Sequence, residues 1–409
     1  MHIFHLTPLV VLLSGTALAQ PMTFDTALQR AAANSPALQA SAAGVEASRS
    51  ASISAGQLPD PTLDLGIQDF PVTGPNAGSF TRDNFTMTKI GVSQQFPNPA
   101  KRRAQRGRAQ ADIGVAEADQ AVEAQNVRLQ TALAWADLYY AKRRLAQLES
   151  LDESLGELQA TVSARLTSGS ARPSQALEPE QLRAAVKDRR SELQAAAAKA
   201  QARLARLSGD PAADVSGVPP ALELDEPMLR AHVAALPRLQ ALDAKARVAD
   251  ADVSLARADK RPDWRIGTSY GRRDPAYGDL VSVTLSIDLP FFSKHRQDPL
   301  IAARASEASR ARLMRNAGER DVLTALDSDL ADHAMHHQRL LNARNTLVPL
   351  AKRRATLDMA SYATGKLDLG SALLATLAAA EAEVDALARE ADVARDAIQI
   401  NYTYGEALP

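Results

Sequence analysis

The chain has 409 residues, a formal net charge of -1 and 45% apolar residues, with aromatics at only 4% and no cysteine. The near-neutral charge excludes the basic excess that nucleic-acid phosphates demand, and the missing cysteine excludes disulfides, thiolate metal sites and a Cys nucleophile. An alanine-rich, charge-rich and aromatic-poor chain favours long helices with thin seams over compact globules.

Residues 1–19 hold a short apolar run, Leu6 to Leu13, and then Ala17-Leu18-Ala19. The run is too short to span a bilayer and ends on an A-x-A motif, so it reads as a secretory signal cut after Ala19. No later window of about 18 apolar residues exists, so any membrane-spanning part must be built of β-strands.

Over 20–209 the pattern predicts a helix at 22–57, strands at 61–70 and 84–96, a long helix at 101–167, a glycine turn at Gly169 and a helix at 173–208. Residues 210–225, with Gly217 and Pro219-Pro220, read as a linker. Over 226–409 the order recurs: a helix at 226–259, strands at 262–272 and 279–289, a helix at 294–363, a turn at Gly365 and a helix at 369–402. The residues match as well as the order. Pro36, Gln39, Pro61 and Gly66 recur at one constant spacing as Pro237, Gln240, Pro262 and Gly267. Phe96-Pro97 with Lys101 and Arg103 recurs as Leu289-Pro290 with Lys294 and Arg296. The chain therefore reads as one unit written twice, an internal tandem duplication.

At about 1.5 Å per residue the long helices reach about 100 Å, and the two shorter ones together match that length. This arrangement puts the strand hairpin and the glycine turn at opposite ends of each unit. Such helices need coiled-coil partners, and the alanines at 104, 111, 118 and 195–198 supply close-packing seams.

The strands alternate. Val281, Val283, Leu285 and Ile287 oppose Ser282, Thr284, Ser286 and Asp288. Trp264, Ile266 and Tyr270 oppose Arg265, Gly267 and Ser269. Leu63, Leu65 and Ile67 oppose Asp64, Gly66 and Gln68. Between Met87 and Ile90 the phase slips at Lys89, which predicts a bulge or a membrane boundary. This alternation suits both a transmembrane barrel wall and a half-buried soluble sheet. The signal segment, and the lack of anything for four strands to pack on, favour the barrel. Four strands cannot close one, and about eight is the minimum. Three copies would pool twelve strands beside a matching tube of helices, whereas two copies would leave a lumen filled by side chains. The expected fold is thus mainly α with a transmembrane β part: a long α-helical coiled-coil barrel joined to a shared 12-stranded β-barrel.

The segments Gly56-Gln57-Leu58-Pro59-Asp60-Pro61, Gly66-Ile67-Gln68-Asp69-Phe70-Pro71, Gly91-Val92-Ser93-Gln94-Gln95-Phe96-Pro97 and Lys101-Arg102 resemble the TolC family of trimeric outer-membrane efflux ducts. They are similar in particular to its CzcC- and CusC-like heavy-metal branch, which usually has Gly where this chain has Ala100. The resemblance implies a homotrimer in the Gram-negative outer membrane, with its helical part in the periplasm. It also implies a periplasmic adaptor (membrane fusion) protein and an inner-membrane RND-type pump as partners, heavy-metal cations as cargo, no cofactor and no enzymatic activity. Multidrug or other small-molecule cargo is the alternative, and a soluble periplasmic scaffold or adaptor is the competing class. Phe96, Pro97, Pro290 and Phe291 would form the strand-to-helix elbows. Arg165, Gly169, Tyr362, Gly365 and Asp368 would form the periplasmic tips and gate. Some members ring the aperture with aspartates, and here Ser371 and Leu374 stand beyond Asp368 where further carboxylates would be, so such a gate is only partly represented.

His333, His336 and His337 share a helix face and could converge on a soft cation, but a solvated mid-helix face is the expectation. Arg102, Arg103, Arg106 and Arg108 could meet lipid phosphates, with a solvated face the more favoured reading. No H-E-x-x-H, G-x-S-x-G, P-loop or strand-linked G-x-G-x-x-G occurs.

Overall fold

A computed structural model describes residues 21–167 and 177–405 of the chain. The expected signal segment and Gly169 lie outside these described residues. The chain divides into two units. The first holds residues up to 36, 125–229 and 326 onward, and the second holds 37–124 and 230–325.

The first helical stretch is two helices, α1 (Phe24–Asn34) and α2 (Pro36–Ser54), where the sequence pattern predicts one. Ser35 between them is extended (φ -66°, ψ 116°). Pro36 disfavours α geometry at the residue before it and starts the next helix at its own first position. The same device recurs in the second half. There α5 (Glu226–His232) and a 3-10 turn end at Leu236, again extended (φ -61°, ψ 136°), before Pro237 opens α6 (Pro237–Ala258).

Helix α3 (Pro99–Thr167) is unbroken, and α4 (Leu177–Ser208) follows. Its counterpart in the second half is interrupted. Helix α7 (Gln297–Asn342) passes through a π turn at Ala343–Leu347 into α8 (Val348–Ala363). Pro349 has no N–H to donate to the preceding turn, and the hydrogen-bond ladder widens there. Helix α9 (Leu369–Tyr404) closes the described chain.

The core of the first unit centres on Trp135, which is fully buried. Its indole Nε1 donates to the Met22 carbonyl at 2.9 Å. Phe24 meets its edge at 5.5 Å, and Tyr139 stacks on it at 5.4 Å. Met22 forms a parallel bridge with Val215; its N–H donates to the Asp214 carbonyl at 2.8 Å and its carbonyl accepts from Ser216 at 3.0 Å. The stretch 210–225 is therefore tied down at this point, with Ala213 fully buried in the same cluster. A second cluster joins Leu148, Leu151 and Leu155 to Leu182, Val186, Leu369 and Leu373.

The second unit holds one antiparallel sheet in the order β1-β2-β3-β4: β1 (Thr62–Gln68), β2 (Met87–Phe96), β3 (Trp264–Arg272) and β4 (Leu280–Ile287). The expected bulge near Lys89 is absent. The β1–β2 register runs unbroken from Thr62↔Ser93 to Gln68↔Met87. The apparent slip is Met87 on the otherwise polar face, not an extra residue. The helices of this unit are joined by ion pairs, Arg108–Asp252 at 2.5 Å and Arg315–Asp243 at 3.1 Å.

Truncating Trp135 to Ala removes the largest fully buried side chain and one of the two donors to the Met22 carbonyl. Chemical denaturation followed by helical circular dichroism should show a loss of about 3–5 kcal/mol.

Candidate functional site

The register aligns every large apolar strand residue except Met87 and Leu280 on one face of the sheet. Across the four strands the rows read Leu65, Ile90, Tyr270, Val281, then Leu63, Val92, Thr268, Val283, and Phe96, Trp264, Ile287 at the helix end. This face is bare: Leu65 is 70% exposed and Val283 is 76% exposed. An uncovered apolar patch of this kind marks a contact with lipid or protein. Trp264 stands at its helix end and Tyr270 near the other, where amphipathic rings sit at membrane–water interfaces.

The opposite face is polar and small-residued. It carries Asp64, Lys89, Ser93, Arg265, Ser269, Thr284 and Ser286, which line a concavity of about 400 Å³. Curvature brings neighbouring strands together on this side. A Cβ on Gly91 would lie 2.8 Å from that of Ser269, and one on Gly271 would lie 2.6 Å from the Met87 sulfur. Glycine at these positions permits the concave wall.

The first elbow is held by a polar knot that the sequence reading did not pick out. Asn98, 5% exposed, follows Phe96 and Pro97. Its backbone N–H donates to Asp263 Oδ1 at 2.8 Å, and its amide donates to Asp263 Oδ1 at 3.0 Å and to the Ala258 and Arg261 carbonyls at 3.2 Å each. Its Oδ1 accepts the Lys101 N–H at 2.8 Å and so caps α3. Lys101 reaches Asp259 at 2.9 Å and Asp263 at 3.4 Å. Burial works against the Lys101 charge, but Asp259 and then Asp263 outweigh it and raise its pKa. The β2–α3 elbow is thereby tied to the α6–β3 junction. An Asn followed by Pro at a helix start was the available signal. The second elbow, through Pro290 and Phe291, has no such knot, and Phe291 is 80% exposed.

At the second glycine turn, Gly365 adopts the left-handed conformation (φ +75°). Its N–H donates to the Tyr362 carbonyl, and the Lys366 N–H donates to Ser361, which ends α8 in the manner of a Schellman cap. Tyr362 packs on the Leu148–Leu155 cluster. Asp368 caps α9, accepting from the Ser371 N–H at 2.9 Å and from its hydroxyl at 2.7 Å. These bonds hold its carboxyl below the usual carboxylate range. Arg165 lies in α3.

His333 and His336 are not on a freely solvated face, contrary to the sequence reading. Both turn toward α9. His336 Nδ1 lies 2.7 Å from Asp396 Oδ2, and His333 Nδ1 lies 3.9 Å from it. His337 stands 6.3 Å from His333, ring to ring. Among the described residues no group of three or more His, Cys, Asp or Glu side chains is placed to hold a metal ion. Burial pushes the His333 imidazole below its ordinary value; Asp396 opposes the shift, and His337 and His336 add to it.

No protein-family model matches the sequence, and no curated protein matches it. Solved structures do match. The outer membrane protein VceC of Vibrio cholerae shares 16% identity, with 93% of this chain and 96% of that one covered at a TM-score of 0.76. The CmeC outer membrane channel of Campylobacter jejuni shares 13%, covering 93% and 85% at 0.77. CusC shares 13%, covering 96% of both chains at 0.76. The chain has the TolC-like channel fold. Identities this low carry the architecture: long helices joined to a small sheet. In that fold the bare face of the sheet, the elbows and the glycine turn are the places to look for function.

Two outcomes follow from these contacts. Asn98→Ala removes the side-chain amide from the Ala258, Arg261 and Asp263 acceptors and the cap from α3, and should cost about 1–3 kcal/mol in chemical denaturation. His333 is a base with a depressed folded pKa, so its contribution is complete above about pH 6.5 and is lost as pH falls below that value. Hydrogen-exchange protection factors on α7 and α9, which allow for the intrinsic slowing of exchange in acid, should therefore fall below about pH 6.5 in the native protein, and His333→Gln should flatten that response.

Proposed function

We propose that this protein is the outer-membrane exit duct of a tripartite efflux system. The observation that carries the reading is the bare apolar face of a four-stranded sheet with two open edges, β1 and β4. In water such a face and such edges would drive aggregation. In a bilayer the face meets lipid, but open edges are forbidden, so the strands must be pooled between copies. β4 and β1 run in opposite directions, so β4 of one copy can pair with β1 of the next and keep the barrel antiparallel. Three copies give twelve strands and a lumen lined by the polar faces, wide enough to pass solute. The competing soluble scaffold leaves the apolar face without a solvent.

The remaining parts of the reading follow from the resemblance. The signal ending at Ala19 would export the chain, and the helical part would stand in the periplasm and meet an adaptor protein and an RND-type pump. The two halves are copies of one unit, and the matched helix breaks at Pro36 and Pro237 support this. Heavy-metal cargo rests on the resemblance of residues 56–103 to the CzcC- and CusC-like branch and on the likeness to CusC. Multidrug or other small-molecule cargo is the alternative. The duct performs no catalysis; the pump supplies the energy, and the protein supplies a path that opens at the helix turns.

Membrane fractionation and planar-bilayer recording test this. The protein should float with outer membranes, and single cysteines placed on β1 and β4 should cross-link into a trimer on a non-reducing gel. Recovery in the soluble periplasm would sink the reading. Tyr362→Ala, at the turn, should raise single-channel conductance, and unchanged conductance would count against a gate there.

A further inference from the structure

The two elbows hold matching sequence positions and opposite chemistry. In the first, Phe96-Pro97 leads to the buried Asn98, and Lys101 is neutralised by Asp259 and Asp263. In the second, Leu289-Pro290 leads to Phe291 and Phe292, which are 80% and 72% exposed. Lys294, the counterpart of Lys101, is exposed, as are His295 and Arg296. None of these three forms an ion pair among the described residues, while the neighbouring Lys260 pairs with Asp298 at 2.5 Å. The segment is not a frayed loop. Its own backbone closes it: the Phe291 N–H donates to Leu289 at 3.0 Å, and the His295 N–H donates to Phe292 at 3.1 Å. The result is an ordered turn that presents two aromatic rings and then three basic side chains, with no ion-pair or ring partner for either among the described residues.

We propose that Leu289–Arg296 is an anchor for anionic phospholipids, with Phe291 and Phe292 seated among acyl chains and Lys294 and Arg296 on headgroup phosphates. This rests on the reading of the sheet as membrane-spanning. Three arguments select lipid as the occupant. The turn follows Ile287 in the chain, at the end of the apolar face where Phe96 and Trp264 stand. Rings followed by cations match the order of chemistry met on leaving a bilayer core. A second copy pairing along β4 would bring the segment before its own β1, Gly56–Pro61, which offers one carboxylate, Asp60, against two cations and a histidine. The helices attach at this end, so the leaflet concerned is the one nearest the helical part.

The test uses the full-length protein reconstituted from detergent into vesicles of phosphatidylcholine, with or without phosphatidylglycerol, and K294Q/R296Q beside it. Wild-type protein should associate more strongly when phosphatidylglycerol is present. The double variant should lose that preference by roughly 25-fold, about fivefold per cation, while still inserting into phosphatidylcholine. The charge-keeping K294R/R296K variant should behave as wild type. Equal association of the wild type with both vesicles overturns the proposal, as does a preference that survives K294Q/R296Q. A preference seen only with lipopolysaccharide assigns the site to a different lipid and also overturns it. A lower trimer yield of the double variant in detergent, with lipid preference intact, would mean that a second copy covers the segment. Failure of every form to insert into any vesicle would instead overturn the membrane-spanning reading itself.

Discussion

An apolar face that none of the described residues covers constrains the rest of the second unit. The large side chains on that face stand exposed, most of all at positions such as Leu65 and Val283. In water this would cost free energy in proportion to area, at about 25 cal/mol per Å². The sheet also leaves the backbone groups of β1 and β4 unpaired along their outer edges. Lipid solves the first problem and worsens the second, because a bilayer core cannot hydrogen-bond an open edge. Both are solved together only when identical sheets close on one another. The glycines at 91 and 271 fit that closure, since they allow the strands to crowd on the concave polar side.

In the membrane-spanning reading proposed above, a sheet in lipid is joined to helices outside it. No described helix is long and apolar enough to cross a membrane. The two elbows at the junction of sheet and helices are built differently. One buries an asparagine and satisfies it four times over, fixing the angle at which β2 becomes α3. The other leaves aromatic and basic groups facing outward. One elbow is thus held by buried hydrogen bonds and the other presents its side chains outward.

The helical residues show how small breaks are placed. Pro36 and Pro237 each open a helix just after an extended residue, while Pro349 sits beside a π turn. At the second glycine turn, Gly365 ends α8 and Asp368 caps α9. Trp135 binds the beginning of the described chain to its middle, through Met22 and the stretch after Asp210.

Periodicity in the sequence determined much of this protein. Strand alternation depends on neighbours two residues apart, and helix seams on neighbours three or four apart, so the strands, the long helices and the apolar face were legible in the order of residues. Proline effects are just as local, yet the breaks at Ser35 and Leu236 were read through because the apolar pattern continues across them. What tertiary structure decided were the partners far apart in the chain. Asn98 finds Asp263, His336 finds Asp396 and Trp135 finds Met22. No local pattern marks such pairs, because burial and hydrogen-bond satisfaction are settled by which elements pack together. The unbroken register at Lys89 belongs to the same class: one strand alone shows a slip in phase, and only its pairing with β1 and β3 shows that no residue is extra.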